Sequence, residues 1–213
     1  MKTRAVLLIV LCLLMSTGAC AQTMYPIAPD VQMDALESLS IMCTVDAFNA
    51  DEKTIDVTLY VPELFEEKAL AALQPGDVVV SDGVPCTIEN LQYDDGYSIS
   101  INDGEDSYSG EGLYFHCDSD GYAQQIDYDA GIYTKLGSET LQLPEHFLFL
   151  DGVRPDTGEP LDRPAVHSLA EFMTLMAKEK AEDGIGITSQ NAYIVFDESG
   201  TPVLLSRYYV PWQ

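Results

Sequence analysis

The chain has 213 residues, 46% of them hydrophobic, and a formal net charge of −25 at pH 7. This hydrophobic content supports a packed core rather than global disorder, and the length suits one compact domain or two small ones. Acidic residues outnumber basic ones 35 to 10. Such a chain is repelled by nucleic-acid phosphates and by anionic lipid head groups. We therefore expect no nucleic-acid partner, and contact with a membrane only through a lipid anchor.

The first 21 residues have the layout of a secretory signal peptide. Lys2 and Arg4 form a basic start, residues 5–15 are an unbroken apolar run, and small residues follow. The apolar run is too short to span a bilayer comfortably. We predict that residues 1–21 are a signal peptide that directs export.

Two processing routes fit this segment. Residues 19–21 satisfy the small-residue rule for ordinary signal peptidase, which would release a secreted chain beginning at Gln22. Residues 17–20 also resemble a bacterial lipobox, although Thr17 stands where leucine is usual. In that case Cys20 would be lipidated and would begin the mature protein. We favour a lipoprotein on the outer face of the cell membrane, because a cysteine at this position is otherwise unneeded.

Residues 22–36 lack periodicity and predict a tether before the folded region. Residues 41–48 and 55–61 then alternate between apolar and polar side chains around a polar turn, which predicts a β-hairpin. A short helix is expected over residues 63–73, between Pro62 and the Pro75–Gly76 stop.

More short strands follow, and several are joined by Asp-Gly pairs, which tolerate the positive φ of tight turns. Strands at this spacing predict a closed or nearly closed antiparallel barrel over residues 37–136. Residues 73–80 resemble the turn into a strand found in SH3-like and OB-like barrels. The predicted strands are residues 78–81, 86–93, 97–101, 112–117, 122–128 and 132–136.

Residues 137–213 predict a strand, helix and hairpin arrangement of α+β type. Strands are expected at 141–143 and 147–150, a loop at 151–164, and a helix at 168–183 that begins with a Ser168–Glu171 capping box. The final hairpin is predicted at 193–196 and 203–210. The expected fold class is therefore α+β, mainly antiparallel β.

Thirteen acidic and no basic residues lie between residues 69 and 134. One interpretation is a solvated surface that keeps an exported protein soluble. The other is a weak cation site at Asp103, Glu105, Asp118 and Asp120. The Asp118–Gly121 segment fits a calcium loop poorly, because His116 and Asp127 fall where Asp and Glu are needed. We expect no cofactor, with Ca²⁺ as the minor alternative.

Tyrosines share this acidic stretch. Tyrosine beside aspartate and asparagine suits a surface that binds a carbohydrate or a protein. The alternative is that tyrosine simply fills pleated strands, which it does readily. The candidate ligand face consists of Tyr93, Tyr97, Tyr114 and Tyr122.

Three cysteines remain after the predicted signal: Cys43, Cys86 and Cys117. Each has the phase of apolar neighbours on its strand, so they are either buried small side chains or include one disulfide, Cys86–Cys117. A catalytic thiol is not favoured, since such cysteines are usually exposed.

No nucleophile elbow, phosphate loop or dinucleotide motif is present in the sequence. Our leading hypothesis is a non-catalytic, exported binding module of the bacterial cell envelope with an unidentified ligand. The alternatives are a small secreted hydrolase that uses carboxylates, and a structural or accessory envelope protein.

We expect the native protein to begin at lipidated Cys20 or, failing that, at Gln22. Intact-mass measurement of the native product separates the two routes. A Cys20→Ala change should release a lipoprotein from the membrane fraction and leave a secreted protein unaffected. Recovery of a chain that still begins at Met1 would contradict both routes.

Overall fold

The computed structural model describes residues 21–105, 112–127, 130–154, 157–182 and 186–210. Strands account for 52% of the residues and helices for 9%. The prediction of an α+β, mainly β fold is therefore confirmed.

The elements are β1 (Thr23–Met24), β2 (Ser40–Asn49), β3 (Thr54–Pro62), β4 (Leu64–Glu66), α1 (Glu67–Ala71), β5 (Val78–Ser81), β6 (Val84–Thr87), β7 (Leu91–Asp94), β8 (Ser98–Ile101), β9 (Leu113–Cys117), β10 (Tyr122–Asp127), β11 (Ala130–Gly131), β12 (Tyr133–Gln142), β13 (Leu148–Val153), β14 (Pro160–Ser168), α2 (Leu169–Glu182), β15 (Ala192–Phe196) and β16 (Pro202–Arg207).

Neither α1 nor α2 has the length and apolar character that a helix needs to cross a membrane.

A seven-stranded sheet has the order β12-β3-β2-β15-β16-β13-β14. The β2–β3 hairpin is present as predicted, and only the β13–β16 pair is parallel among the strand pairs of this sheet. Helix α2 covers the sheet by packing Phe172 against Phe147 and Phe149, with ring centroids 5.6 and 5.0 Å apart. Strands from both sides of residue 136 therefore share one sheet and one core.

A second core lies beneath a six-stranded sheet of order β11-β10-β9-β8-β7, in which β4 also pairs with β10. A three-stranded sheet, β1-β5-β6, contributes Val79 to this core. Phe65 and Phe115 meet edge to face at its centre, with ring centroids 5.3 Å apart.

None of the three sheets closes into a barrel in the described residues, so the predicted barrel and its SH3-like or OB-like form are not confirmed. The physical reason is the pairing of the first hairpin. Strands β2 and β3 bond to β15 and β12 rather than to the strands at 78–101. Alternation along each strand is the same in either arrangement, so the sequence pattern does not distinguish them.

Two local predictions were wrong in detail. The helix expected over 63–73 begins as strand β4, because Leu64 and Phe65 pair with β10, and only Glu67–Ala71 is helical. The loop expected over 151–164 ends in strand β14, whose prolines are tolerated because it is an edge strand. The capping box is confirmed: both the backbone N–H and the hydroxyl of Ser168 donate to Glu171 Oε2 at 2.8 Å.

The segment predicted as a tether is bonded to the rest of the protein. Strand β1 pairs in parallel with β5. The Gln22 backbone N–H donates to Asp77 Oδ1 at 2.7 Å, and the Ile27 N–H donates to the Leu64 carbonyl at 2.7 Å. Leu36, at the end of the segment, is buried in the first core.

A buried ion pair joins β13 to β16. The Arg207 Nε and Nη2 donate to the two carboxylate oxygens of Asp151 at 2.9 and 2.8 Å. Asp151 also accepts from the Val153 N–H at 3.0 Å, and the Arg207 guanidinium lies over the Phe149 ring at 5.7 Å. The side chains are 0% and 5% exposed, so each charge depends on its partner for solvation.

We expect Arg207→Leu to lower the free energy of unfolding by about 3–5 kcal/mol, because it leaves the Asp151 carboxylate buried without its counter-charge. The double change Asp151→Leu with Arg207→Leu should cost less, since it leaves no uncompensated charge. Denaturant titration measures both. Lys53→Ala, which breaks the exposed Lys53–Glu145 pair, is the control and should cost about 0–1 kcal/mol. Equal losses in the single and double Asp151–Arg207 variants would contradict this account.

Candidate functional site

The six-stranded sheet has one apolar face and one polar face. Ile99, Ile101 and Phe115 are fully buried against the second core. Because side chains alternate along a strand, Ser98 and Ser100 project from the opposite face. Registry places Ser98 opposite His116 and Ser100 opposite Tyr114. The outward face is therefore lined by hydroxyl, imidazole and phenol groups.

A cleft of about 470 Å³, here called the sheet cleft, opens on this polar face. Strand β7 extends its floor, because Gln92 pairs with Ser100 and Asp94 with Ser98. The cleft offers carboxylates, hydroxyls, an amide and aromatic rings without a basic side chain. Its lining residues are Gln92, Tyr93, Asp94, Ser98, Ser100, Gly104, Glu105 and Tyr114.

The loop that brings Glu105 to the cleft is held by its backbone. Ser100 Oγ donates to the Gly104 carbonyl at 2.8 Å. Gly104 packs so tightly on Leu113 that a Cβ there would lie 2.4 Å from the Leu113 carbonyl carbon. Only glycine fits this approach, which fixes Glu105 beside the strand ends.

Three rings lie at the edge of the cleft: Tyr97 and His116 are exposed, and Tyr114, which lines the cleft, is half-buried. The His116 ring centroid is 5.8 Å from that of Tyr97 and 5.8 Å from that of Tyr114, with interplanar angles of 52° and 54°. Tyr97 is 62% exposed. The arrangement gives two phenol faces on either side of an imidazole, and we call it the aromatic row.

Glu67 holds the β7–β8 turn in place, although its carboxylate is buried. Its Oε1 accepts from the Tyr93 hydroxyl at 2.8 Å and from the Gly96 N–H at 2.9 Å. The Tyr93 hydroxyl also lies 2.6 Å from Asp95 Oδ1. Hydrogen bonds to Asp95 and then to Glu67 raise the pKa of Tyr93 well above its ordinary value, so the phenol keeps its proton.

The candidate tyrosines are divided by the fold. Tyr97 and Tyr114 belong to the aromatic row, and the Tyr93 hydroxyl is used to anchor a turn. Tyr122 lies at the start of β10, where it pairs with Glu66 on β4 and lines a different cavity. Three of the four candidate tyrosines therefore lie at or beside the sheet cleft, with His116 between Tyr97 and Tyr114, and Tyr122 lies apart.

The candidate acidic residues occupy two places. Asp118 Oδ1 accepts from the N–H groups of Asp120 and Tyr122 at 2.9 Å each, so this carboxylate closes its own hairpin turn. Asp103 follows strand β8 with a positive φ of 60°, and Glu105 lines the sheet cleft. In the described ranges, no group of three or more His, Cys, Asp or Glu side chains is arranged to hold a metal ion.

Cys43, Cys86 and Cys117 are free thiols, so the predicted Cys86–Cys117 disulfide is not formed in this structure. Cys43 is fully buried, which raises the pKa of its thiol to about 12, with a further contribution from Asp46. Cys117 is half-buried and donates to Glu67. Desolvation first, then the Glu67 charge and hydrogen bond, raise the pKa of Cys117 to about 11. The lipidation candidate Cys20 lies outside the described residues.

Sequence reasoning missed the strand serines and the amide and carboxylate of β7. The signal was present in the Ser98-Ile99-Ser100-Ile101 alternation, which places both serines on the exposed face. In the sequence, His116 stood out as a poor match to the first position of a calcium loop. Its role beside Tyr97 and Tyr114 depends on strand pairing, which the sequence does not specify.

No protein-family model, curated protein or solved structure matches this chain.

We expect Cys117 to react slowly with iodoacetamide at pH 8, with a rate that rises about tenfold per pH unit until pH approaches its raised pKa. Glu67→Gln should accelerate the reaction, because it removes the charge that disfavours the thiolate but retains an acceptor for Tyr93. Peptide mapping by mass spectrometry identifies the modified cysteine. Glu66→Gln, an equal charge change on an exposed neighbour, is the control.

The raised pKa of Cys117 also makes the free energy of unfolding depend on pH. The folded protein holds the Cys117 proton at pH values where the unfolded chain has lost it. The stability associated with this group is therefore complete below the ordinary thiol pKa of 9.0 and is lost as pH rises through about 11.

Proposed function

We propose that this protein is an exported, lipid-anchored bacterial cell-envelope protein that acts as a non-catalytic binding module. The ligand surface is the sheet cleft together with the aromatic row. The observation that carries the proposal is the open polar face of the six-stranded sheet, with tyrosine rings beside groups that donate and accept hydrogen bonds.

The chemistry of this face favours a carbohydrate over a protein ligand. Sugar rings present an apolar face that packs on aromatic rings and a rim of hydroxyls that bond to carboxylates, amides and hydroxyls. Tyr97 and Tyr114 supply the rings, while Asp94 and Gln92 supply polar groups in the cleft. The absence of lysine and arginine between residues 69 and 134 disfavours anionic glycans.

We expect Tyr114→Ala to weaken binding of a neutral oligosaccharide, found by glycan-array screening, by about five- to tenfold, because it removes a ring from the cleft. Calorimetric titration of wild type and variant measures the change. Tyr209→Ala, which truncates an exposed tyrosine after β16, is the matched control and should bind normally. If neither Tyr114→Ala nor Tyr97→Ala affects the affinity, this face is not the ligand surface.

A carboxylate-dependent hydrolase is the alternative, since Asp94 and Glu105 line the same cleft. Paired carboxyl groups across a cleft are the requirement for glycoside hydrolysis. Incubation of the bound oligosaccharide with wild type, Asp94→Asn and Glu105→Gln separates the two functions. A binding module leaves the glycan intact in all three samples. Cleavage by wild type that both substitutions abolish would replace the binding proposal with the enzyme.

A further inference from the structure

A second cavity lies at the other end of the polar face, between β4 and the start of β10. Its volume is about 430 Å³, and we call it the β4–β10 cavity. Gln124 pairs with His116 on one side and with Leu64 on the other, so this cavity opens on the same face as the aromatic row. Its lining residues are Ile27, Glu66, Lys68, Asp120, Gly121 and Tyr122.

The charges in this cavity are uncompensated. Within the described part of the chain, Lys68 forms no ion pair. The Glu66 and Asp120 carboxylates accept no hydrogen bond from another side chain there. Lys68, Glu66 and Asp120 thus line one cavity, and no ion pair joins them in the described part of the chain. A ligand with an anionic and a cationic group would satisfy both signs.

The remaining lining is amphipathic. Ile27 is 45% exposed and Tyr122 is 39% exposed, and Tyr25, just before Ile27, is 65% exposed. Tyrosine and lysine beside an exposed aliphatic side chain are the residues that favour the boundary between lipid head groups and acyl chains.

The chain preceding this cavity is short and firmly held. Gln22 bonds to Asp77, strand β1 pairs with β5, and Ile27 bonds to Leu64. Thr23 follows Cys20 by three positions, which is at most about 10 Å of extended chain. A lipid on Cys20 would therefore hold this end of the molecule at the bilayer surface rather than on a long tether.

We propose that the β4–β10 cavity binds the zwitterionic head group of a phospholipid in the membrane that holds Cys20, with the phosphate at Lys68 and a primary ammonium at Glu66 and Asp120. This inference rests on the lipid anchor in the proposed function. The net charge of −25 disfavours an anionic head group, whereas a phosphate–ammonium pair presents no net charge to the protein.

The test uses the full chain with Cys20→Ala, which cannot receive the lipid, and co-sedimentation with vesicles. We expect clear binding to vesicles of phosphatidylethanolamine with phosphatidylcholine, and little to vesicles of phosphatidylcholine alone, whose quaternary ammonium has no hydrogen to donate to Glu66 and Asp120. Lys68→Glu should weaken binding by about tenfold, because it replaces the phosphate partner with a repelling charge. Lys178→Glu, the same charge change on the exposed surface of α2, is the matched control.

Three results would overturn the inference: equal binding to all vesicles, equal effects of Lys68→Glu and Lys178→Glu, or binding of free phosphoethanolamine without binding of vesicles. The last result would assign the cavity to a soluble zwitterion. Intact-mass measurement of the native protein tests the lipid anchor separately. A native chain without lipid would refute the anchor, while the vesicle measurements on Cys20→Ala would still report on the cavity.

Discussion

A buried carboxylate needs hydrogen-bond donors around it, and two such carboxylates hold the three sheets together. Glu63 and Glu67 flank the short strand β4, and both side chains are buried. Glu63 accepts from Ser81 Oγ at 2.6 Å, from the Asp82 N–H at 2.8 Å and from Thr134 Oγ1 at 3.3 Å. It thereby joins the β5–β6 hairpin to strand β12. Glu67 does the same for the β7–β8 turn, so the two residues connect all three sheets.

The sheet cleft depends on the hydrogen bonds that Glu67 accepts. Among the strands that the structure describes, β7 is at the edge of its sheet and pairs with β8 alone. Without Glu67, the Tyr93 hydroxyl and the Gly96 N–H would lose an acceptor, and the turn that positions Asp94 and Tyr97 would be held by β8 alone. The proposed ligand face is thus built on the buried Glu67 carboxylate.

Local structure was largely predictable from the sequence. The β2–β3 hairpin, the Ser168 capping box and strand β5 all follow from nearby residues, because alternation, capping and turn chemistry act over a few positions. Strand pairing between distant segments could not be predicted from the sequence. The pairing of β3 with β12 joins residues about 80 positions apart, and no local pattern encodes it. The shortened helix at Glu67 has the same cause, since β4 takes Leu64 and Phe65 into a sheet.

In the candidate site too, residue types could be predicted from the sequence, whereas their spatial grouping could not. The tyrosines and acidic residues were identified by type, but their grouping depended on registry. Tyr114 and His116 share a face because they alternate with the buried Phe115 on β9, and Tyr97, in the β7–β8 turn, contacts the His116 ring. Tyr122 lies at the start of β10, opposite Glu66 on β4. The sheet cleft and the β4–β10 cavity are separated by about three strand spacings, or roughly 15 Å. On the two proposals together, a glycan bound at the cleft would lie close to the membrane surface, within the layer where envelope polymers are found.

Strand β14 has a consequence for how copies of the protein behave toward each other. It is the outer strand of the seven-stranded sheet, and it interrupts its own pairing with β13 near Asp151. Pro160 and Pro164 offer no N–H groups, so a strand from a neighbouring copy finds no continuous row of donors there. The opposite edge, β12, carries Lys135 and Glu139 and an irregularity between Lys135 and Gly137. Both edges of the seven-stranded sheet are therefore protected against edge-to-edge aggregation at high protein concentration.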